Sequence, residues 1–315
     1  MSKAMKSSVR LLALVLLLLV PVAITNRYAL NVIIMAGIWV LLASSINLML
    51  GYAGQLPLGH TAFYGLGGYV SGLLSVKLGL SMWLGMPIAG LFTMLIGGII
   101  GKLTFRVRGS AFVLVTLGFG EVLRLVVNNW MGLTNGPLGL SGIQPPMLFG
   151  KAFGYVGYYY LVLALNVLAI YIIWRIVRSR FGRAFLALNE NEPLANAVGV
   201  HSERFLNLAM MVSTLFAGIA GSFYAHYALF ISPDMLFFSN TVTMVVMVVV
   251  GGKRTIWGPI VGAVLFTLIP EWLRFMENYR VLVYGLILML SILFMKNGIV
   301  PSLAGALRRK KVDGQ

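Results

Sequence analysis

The chain has no cysteine among its 315 residues, which excludes disulfides, thiolate nucleophiles and cysteine-bound metals. Acidic residues are almost as scarce. Asp and Glu number 8 against 24 Lys and Arg, and all charged residues together make up 10%, where a soluble domain carries about a quarter. No two carboxylates share an apolar segment and no G-x-S-x-G occurs, so hydrolytic constellations are missing. His60, His201 and His226 are scattered without metal-ligand spacing. GGIIGKL, from Gly97 to Leu103, lacks the spacing and the final Ser or Thr of a phosphate-binding loop, so the chain is not expected to bind ATP itself. A polar interval long enough to fold separately is also lacking, and residues 1–315 read as one membrane domain.

What is present is apolar sequence: 59% of residues are hydrophobic, with a mean hydropathy of +0.92. Crossing about 30 Å of hydrocarbon at 1.5 Å per residue takes roughly 15 to 25 such residues. The runs that qualify predict an all-α, polytopic membrane protein of about ten transmembrane helices: Leu11–Ile24, Leu30–Leu50, Thr61–Val76, Met82–Gly101, Ala111–Val127, Tyr158–Trp174, Phe205–Phe230, Phe238–Val250, Ile256–Trp272 and Val281–Met295. Lys3, Lys6 and Arg10 precede the first run as in a signal peptide, but no small-x-small cleavage site follows it.

A net charge of +16 raises the question of nucleic acid, and the distribution answers it. With the N-terminus in the cytoplasm, Lys102, Arg106, Arg108, Arg175, Arg178, Arg180, Arg183, Arg204, Lys253, Arg254, Lys296 and the C-terminal basic cluster all fall inside. Arg27, Lys77, Lys151, Arg274 and Arg280 fall outside. This is the positive-inside bias of a protein in membrane lipid, with both termini cytoplasmic and no nucleic-acid partner. Trp130 and Tyr158 to Tyr160 then lie at the outer interface and Trp174 at the inner one.

Glycine pairs at Gly68 and Gly72, Gly97 and Gly101, and Gly258 and Gly262 have the spacing that lets helix backbones approach closely. A weak internal echo links LMLGYAGQLPLG, Leu48 to Gly59, with VVVGGKRTIWG, Val248 to Gly258.

Three intervals stand out. In the first, Gly51, Gly54, Pro57 and Gly59 interrupt an apolar region just before His60 and Thr61, with Gln55 between them. It reads either as a cytoplasmic turn or as a broken helix whose freed backbone groups border a permeation path. In the second, Glu121 and Arg124 sit three residues apart inside the fifth span. An unpaired charge there costs at least about 2.5 to 3.5 kcal/mol, so the two are expected to pair, as a structural lock or as a site for a zwitterion or gate. His226 and Asp234, near the outer end of the seventh span, read as solvated or capping groups.

The third interval, Arg175 to Gly199, is the longest polar stretch. Phe181, Phe185 and Leu188 follow one helical stripe and Leu194, Ala197 and Val198 another, while Asn191 with Pro193 starts a second helix that Gly199 ends. Two short helices follow, with Glu190 and Glu192 at their tips, forming either a docking surface or an amphipathic loop on the membrane.

Here the sequence resembles the permease subunits of branched-chain amino acid ABC importers, the LivM-type half. The resemblance is carried by NLMLGYAGQLPLGHTAFYGLGGY, by VTLGFGEVLRLVVNNWMGLTNGPLGLSGI, and by GRAFLALNENEPLANAVGV followed by FAGIAGSFYA. It implies an ABC importer permease fold in a bacterial or archaeal plasma membrane. It also implies a LivH-type permease partner, two cytoplasmic ATPases that bind ATP and magnesium, and an extracytoplasmic amino-acid-binding protein, with no cofactor in this chain. The interval at about 175–203 resembles the family's coupling loop, which assigns coupling roles to Gly182, Arg183, Glu190, Glu192, Ala195 and Gly199. Gln55, Gly59, His60, Thr61, Glu121 and Arg124 are the substrate-path candidates. Pro57 stands where members often have Ser, and Asn189 where many have a charged residue. A urea or short-amide ABC permease has similar membrane subunits. An ion-coupled secondary transporter needs intramembrane acids, for which Glu121 beside Arg124 is a poor candidate.

Overall fold

Apolar runs of this length leave the backbone one economical solution in lipid, the α-helix, because every peptide group is then satisfied within its own segment. The computed structural model describes residues 18–21, 24, 26–105, 109–148, 150–272, 285, 289 and 298–302. Helix α1, Arg27–Asn47, starts at Asn26, whose side chain accepts the Tyr28 amide, and runs on into a π-helical turn, Leu48–Tyr52. It is followed by α2, His60–Leu78; α3, Met82–Thr104; α4, Ser110–Asn129; and α5, Tyr155–Val177. Two short helices, α6 at Arg180–Glu190 and α7 at Glu192–Ala197, lead into the longest, α8, Ser202–Ala228. Helices α9, Phe238–Gly251, and α10, Trp257–Trp272, close the described part of the bundle.

Among the described residues, five helices are long and apolar enough to cross a membrane: Arg27–Tyr52, Met82–Thr104, Ala111–Asn129, Tyr155–Val177 and Ser202–Ala228. The predicted third span forms α2, but its Gly, Ser and His content makes it an inner helix, buried over most of its first four turns. α9 and α10 are shorter apolar helices. The predicted first and last spans, Leu11–Ile24 and Val281–Met295, lie largely outside the described residues.

α1 and α8 form the centre, 72% and 67% buried over their most apolar windows, whereas α4 and α5 are 22% buried and turn one face outward. Glycine permits the closest contacts, as the paired spacings predict. Gly97 and Gly101 of α3 have no room for a Cβ against Thr214 and Asn207 of α8, and Gly67 of α2 lies directly on Gly218. The Thr93 hydroxyl crosses the same seam to the Thr214 carbonyl at 3.0 Å. Such approach gains dispersion energy that lipid cannot replace.

The end of the bundle opposite α6 and α7 carries two small ladders that the sequence did not predict. β1, Leu140–Ser141, pairs antiparallel with β4, Phe230–Ile231, while β2, Met147–Leu148, pairs with β3, Lys151–Ala152. These tie down a Gly- and Pro-rich connection whose described helical structure is one α turn at Met131–Thr134 and one 3-10 turn at Gly136–Leu138.

Candidate coupling and translocation site

The interval after α1 is non-helical from Gly54 to Gly59. The π turn takes the Ala53 amide to the Leu48 carbonyl at 3.0 Å and the Gln55 amide to Met49 at 2.9 Å, and Gly54, at φ 74°, turns the chain out of the helix. Pro57 is buried at no cost in orphan donors, since it has no N–H. The Leu58 amide donates to the Thr116 hydroxyl at 3.2 Å, and Gly59 packs on the Thr116 carbonyl with no space for a side chain. Thr116 and Gly120 lie about 9 and 15 Å along α4 from its start at 1.5 Å per residue. The break therefore re-enters the bundle beside the middle of α4.

Gln55 is half-buried, while Gly59, His60 and Thr61 are buried. The Ser45 hydroxyl donates to the Leu42 carbonyl at 2.7 Å, so its contact with His60 Nε2 at 2.9 Å has the imidazole as donor. His60 Nδ1 then carries the lone pair and has no partner among the described residues. Ser213 of α8 donates to the Ser45 carbonyl at 2.6 Å, completing a junction of α1, α2 and α8. Thr61 meets Thr241 of α9, hydroxyl to hydroxyl, at 3.0 Å. Both side chains join helices to one another.

Glu121 and Arg124 pair on α4. Arg124 Nε donates to both carboxylate oxygens at 3.0 Å, and Nη2 donates to Oε1. The Arg124 guanidinium also stands 5.6 Å from the centre of the Phe237 ring. The Glu121 side chain remains 47% exposed and that of Arg124 23%. With Asn128 they form one edge of the helix at i, i+3 and i+7, beside Gly120, which touches Gly59. Val115, Val122 and Val126 expose an apolar edge on the other side, while the exposed Leu114, seven residues before Glu121, continues the face of the pair. Of the six substrate-path candidates, Gly59 and the Glu121–Arg124 pair are thus brought side by side, and His60 and Thr61 face the packed interior.

The 175–203 interval folds as the two-helix elbow the caps predict. Ser179 accepts the Phe181 amide at 3.1 Å to start α6. Gly182 fits against the Val177 carbonyl, where a Cβ would clash, so the chain doubles back tightly from α5. Phe185 and Leu188 are buried, while Phe181 is exposed and its ring lies 6.1 Å from that of Phe205. Asn191 accepts the Leu194 amide at 3.0 Å to start α7, with Pro193 in its first turn. Ala195 is buried, and Gly199 follows the helix at φ 91°. Arg183 and Glu190 are exposed and Glu192 is half-buried. Leu194 and Val198, 62% and 73% exposed, leave an apolar stripe open on this elbow.

Sequence reasoning missed how the elbow is fastened. Asn189 Nδ2 donates to the carbonyls of Gly51 and Tyr52 at 2.8 and 3.1 Å. Glu190 pairs with Arg254, and Asn47 Nδ2 donates to the Thr255 carbonyl at 2.9 Å. The two segments that echo one another, Leu48 to Gly59 and Val248 to Gly258, consequently meet beneath α6. The only sequence signal was the echo itself, since Asn189 and its acceptors are 138 and 137 residues apart.

The reading of His226 as a solvated or capping group is corrected. It is fully buried, because β1 and the connection after it close over the end of α8. Nδ1–H donates to the Gln144 carbonyl at 2.7 Å, so Nε2 accepts from Ser71 at 2.9 Å, and Ser71 in turn accepts from Ser222 at 2.7 Å. Asp234 is exposed and accepts from the Ser232 hydroxyl at 3.1 Å.

A bundle of apolar helices, five of them among the described residues long enough to span a bilayer, defines a multi-pass membrane protein. Residues 28–292 match the family described as the permease component of branched-chain amino acid transport systems, and the chain belongs to that family. It is 31% identical over 326 residues to the high-affinity branched-chain amino acid transport system permease protein LivM of Salmonella typhimurium, covering 95% of this chain and 77% of the relative. LivM of Escherichia coli matches with the same identity and coverage. The autoinducer 2 import system permease protein LsrC of Yersinia pestis is 26% identical over 246 residues, 72% of this chain and 67% of the relative. No solved structure matches the chain.

Proposed function

We propose that this chain is the membrane-spanning permease subunit of an ATP-driven importer, one permease unit over its whole length, that passes leucine-, isoleucine- and valine-type amino acids into the cell. The observation that carries the reading is the similarity to LivM over 95% of the chain. In this reading a LivH-type permease pairs with it, two cytoplasmic ATPases supply ATP hydrolysis, and an extracytoplasmic binding protein delivers substrate. The elbow of α6 and α7 faces the cytoplasm, as do both termini, and its open Leu194 and Val198 stripe fits an ATPase surface. The polar edge of α4 borders the path. An ion pair held by membrane helices avoids lipid, so Glu121 and Arg124 face protein or water, and the break ending at Gly59 lies beside them.

The test is uptake by proteoliposomes holding the reconstituted complex. ATP-dependent accumulation of labelled leucine, competed by isoleucine and valine, supports the reading. Accumulation of urea or a short amide instead overturns the substrate, and uptake driven by an ion gradient without ATP overturns the class.

A further inference from the structure

We propose that Asn189 is the positioning residue through which movement of the elbow sets the conformation of the Gly51–Gly59 break. The inference rests on α6 and α7 being the ATPase-docking surface, and it starts from backbone groups the break leaves over. The Ala53 and Gln55 amides are committed to Leu48 and Met49. Gln55 is therefore not available to Gly51 as an α-helical donor, Leu56, four beyond Tyr52, makes no backbone hydrogen bond to it, and Pro57, five beyond, has no N–H to give. Gly51 and Tyr52 are buried, so their carbonyls need donors from elsewhere. The side-chain amide of Asn189 donates to both. A distant helix thus supplies the cap of the π turn.

The same end of α6 holds the other side of the junction. Glu190, the next residue, pairs with Arg254, and the Arg254 amide lies so close to Gly51 that a Cβ there would be 2.9 Å away. Asn47, one residue before the π turn, binds the Thr255 carbonyl. Gly54, at the bend, lies against the Asn189 side chain, where a Cβ would be 2.6 Å from Oδ1. A shift of α6 therefore either carries the break with it or strips two buried carbonyls of their donors. Since the far end of the break touches Gly120, next to Glu121, the linkage runs from the docking elbow to the polar edge of α4.

The test uses the reconstituted complex with Asn189→Asp, which keeps the shape and removes both donors. ATPase subunits should still co-purify and hydrolyse ATP within about twofold of the parent, while leucine uptake per ATP falls about tenfold or more, as loss of two neutral hydrogen bonds, even at the lower end of their usual worth, implies. Nucleotide-dependent thiol labelling of Gln55→Cys in the cysteine-free chain should disappear in the same variant. Unchanged uptake per ATP, or persistent nucleotide-dependent labelling, overturns the proposal. If Asn189→Asp fails to accumulate, Asn189→Ser, with one donor, carries the same comparison. Leu194→Glu with Val198→Glu separates the underlying reading: retained ATPase binding in that variant overturns docking on the elbow, whatever Asn189 does.

Discussion

Gly59 and Gly120 meet backbone to backbone, a Cβ on Gly120 lying 3.2 Å from the Gly59 Cα and one on Gly59 driven into the Thr116 carbonyl. The contact fixes where the broken segment stands relative to the Glu121–Arg124 pair. It also makes the two glycines unequal, because a side chain on Gly59 meets backbone that cannot yield, whereas one on Gly120 meets a single Cα at the edge of tolerance. Gly59→Ala should destabilise by about 1 to 3 kcal/mol as overpacking does, and Gly120→Ala by less. Thermal unfolding of the detergent-purified complex checks the order; equal melting temperatures would mean that the break can move off α4.

The Glu121–Arg124 pair makes a second prediction. Glu121→Gln leaves the Arg124 guanidinium without its carboxylate, still beside the Phe237 ring, whereas Glu121→Gln combined with Arg124→Met removes the charge altogether. Stranding one member of an ion pair costs more than deleting both. The single change should lower the melting temperature more than the double, and additive losses across the cycle would show the two acting independently.

Much of the elbow and of the break is legible in the sequence, and the reason lies in which features are local. The cap at Asn191, the start at Pro193 and the left-handed Gly199 follow from residues within a few positions of one another, so neighbouring residues suffice to specify the second helix and its end. The unwinding after Gly51 is likewise encoded by four residues of backbone chemistry. The partners of His226, Asn189 and Asn47 are not local. His226 reads as a solvated group in the sequence because the connection that buries it, near Gln144, is 82 residues away. Hydropathy misleads where burial in protein takes the place of contact with lipid: α2 holds its Gly, Ser and His because other helices surround it.

The relay at the far end of α8 gives a third prediction. His226→Ala removes the donor to Gln144 and the acceptor for Ser71 in one step, and two buried groups without partners cost about 1 to 3 kcal/mol each. Ser222→Ala removes one donor to Ser71 and should cost a fraction of that. The His226 change should also loosen the connection around β1, seen as faster proteolysis between Gly136 and Ala152. A melting temperature unchanged in His226→Ala would mean that water replaces the imidazole.

The final prediction concerns Glu190 and Arg254, which pair at the surface beside Asn189, with side chains 67% and 44% exposed. An ion pair that open contributes about 0 to 1 kcal/mol, so its loss should hardly change thermal stability. Its position is another matter, since it joins the elbow to the segment that grips Asn47. Glu190→Lys sets two positive charges against each other and should reduce leucine uptake per ATP severalfold while the complex stays assembled. Adding Arg254→Glu restores opposite charges in reversed order and should recover most of the loss. If the double variant transports no better than Glu190→Lys, the carboxylate of Glu190 is needed by a partner subunit, and the contact with Arg254 is incidental to coupling.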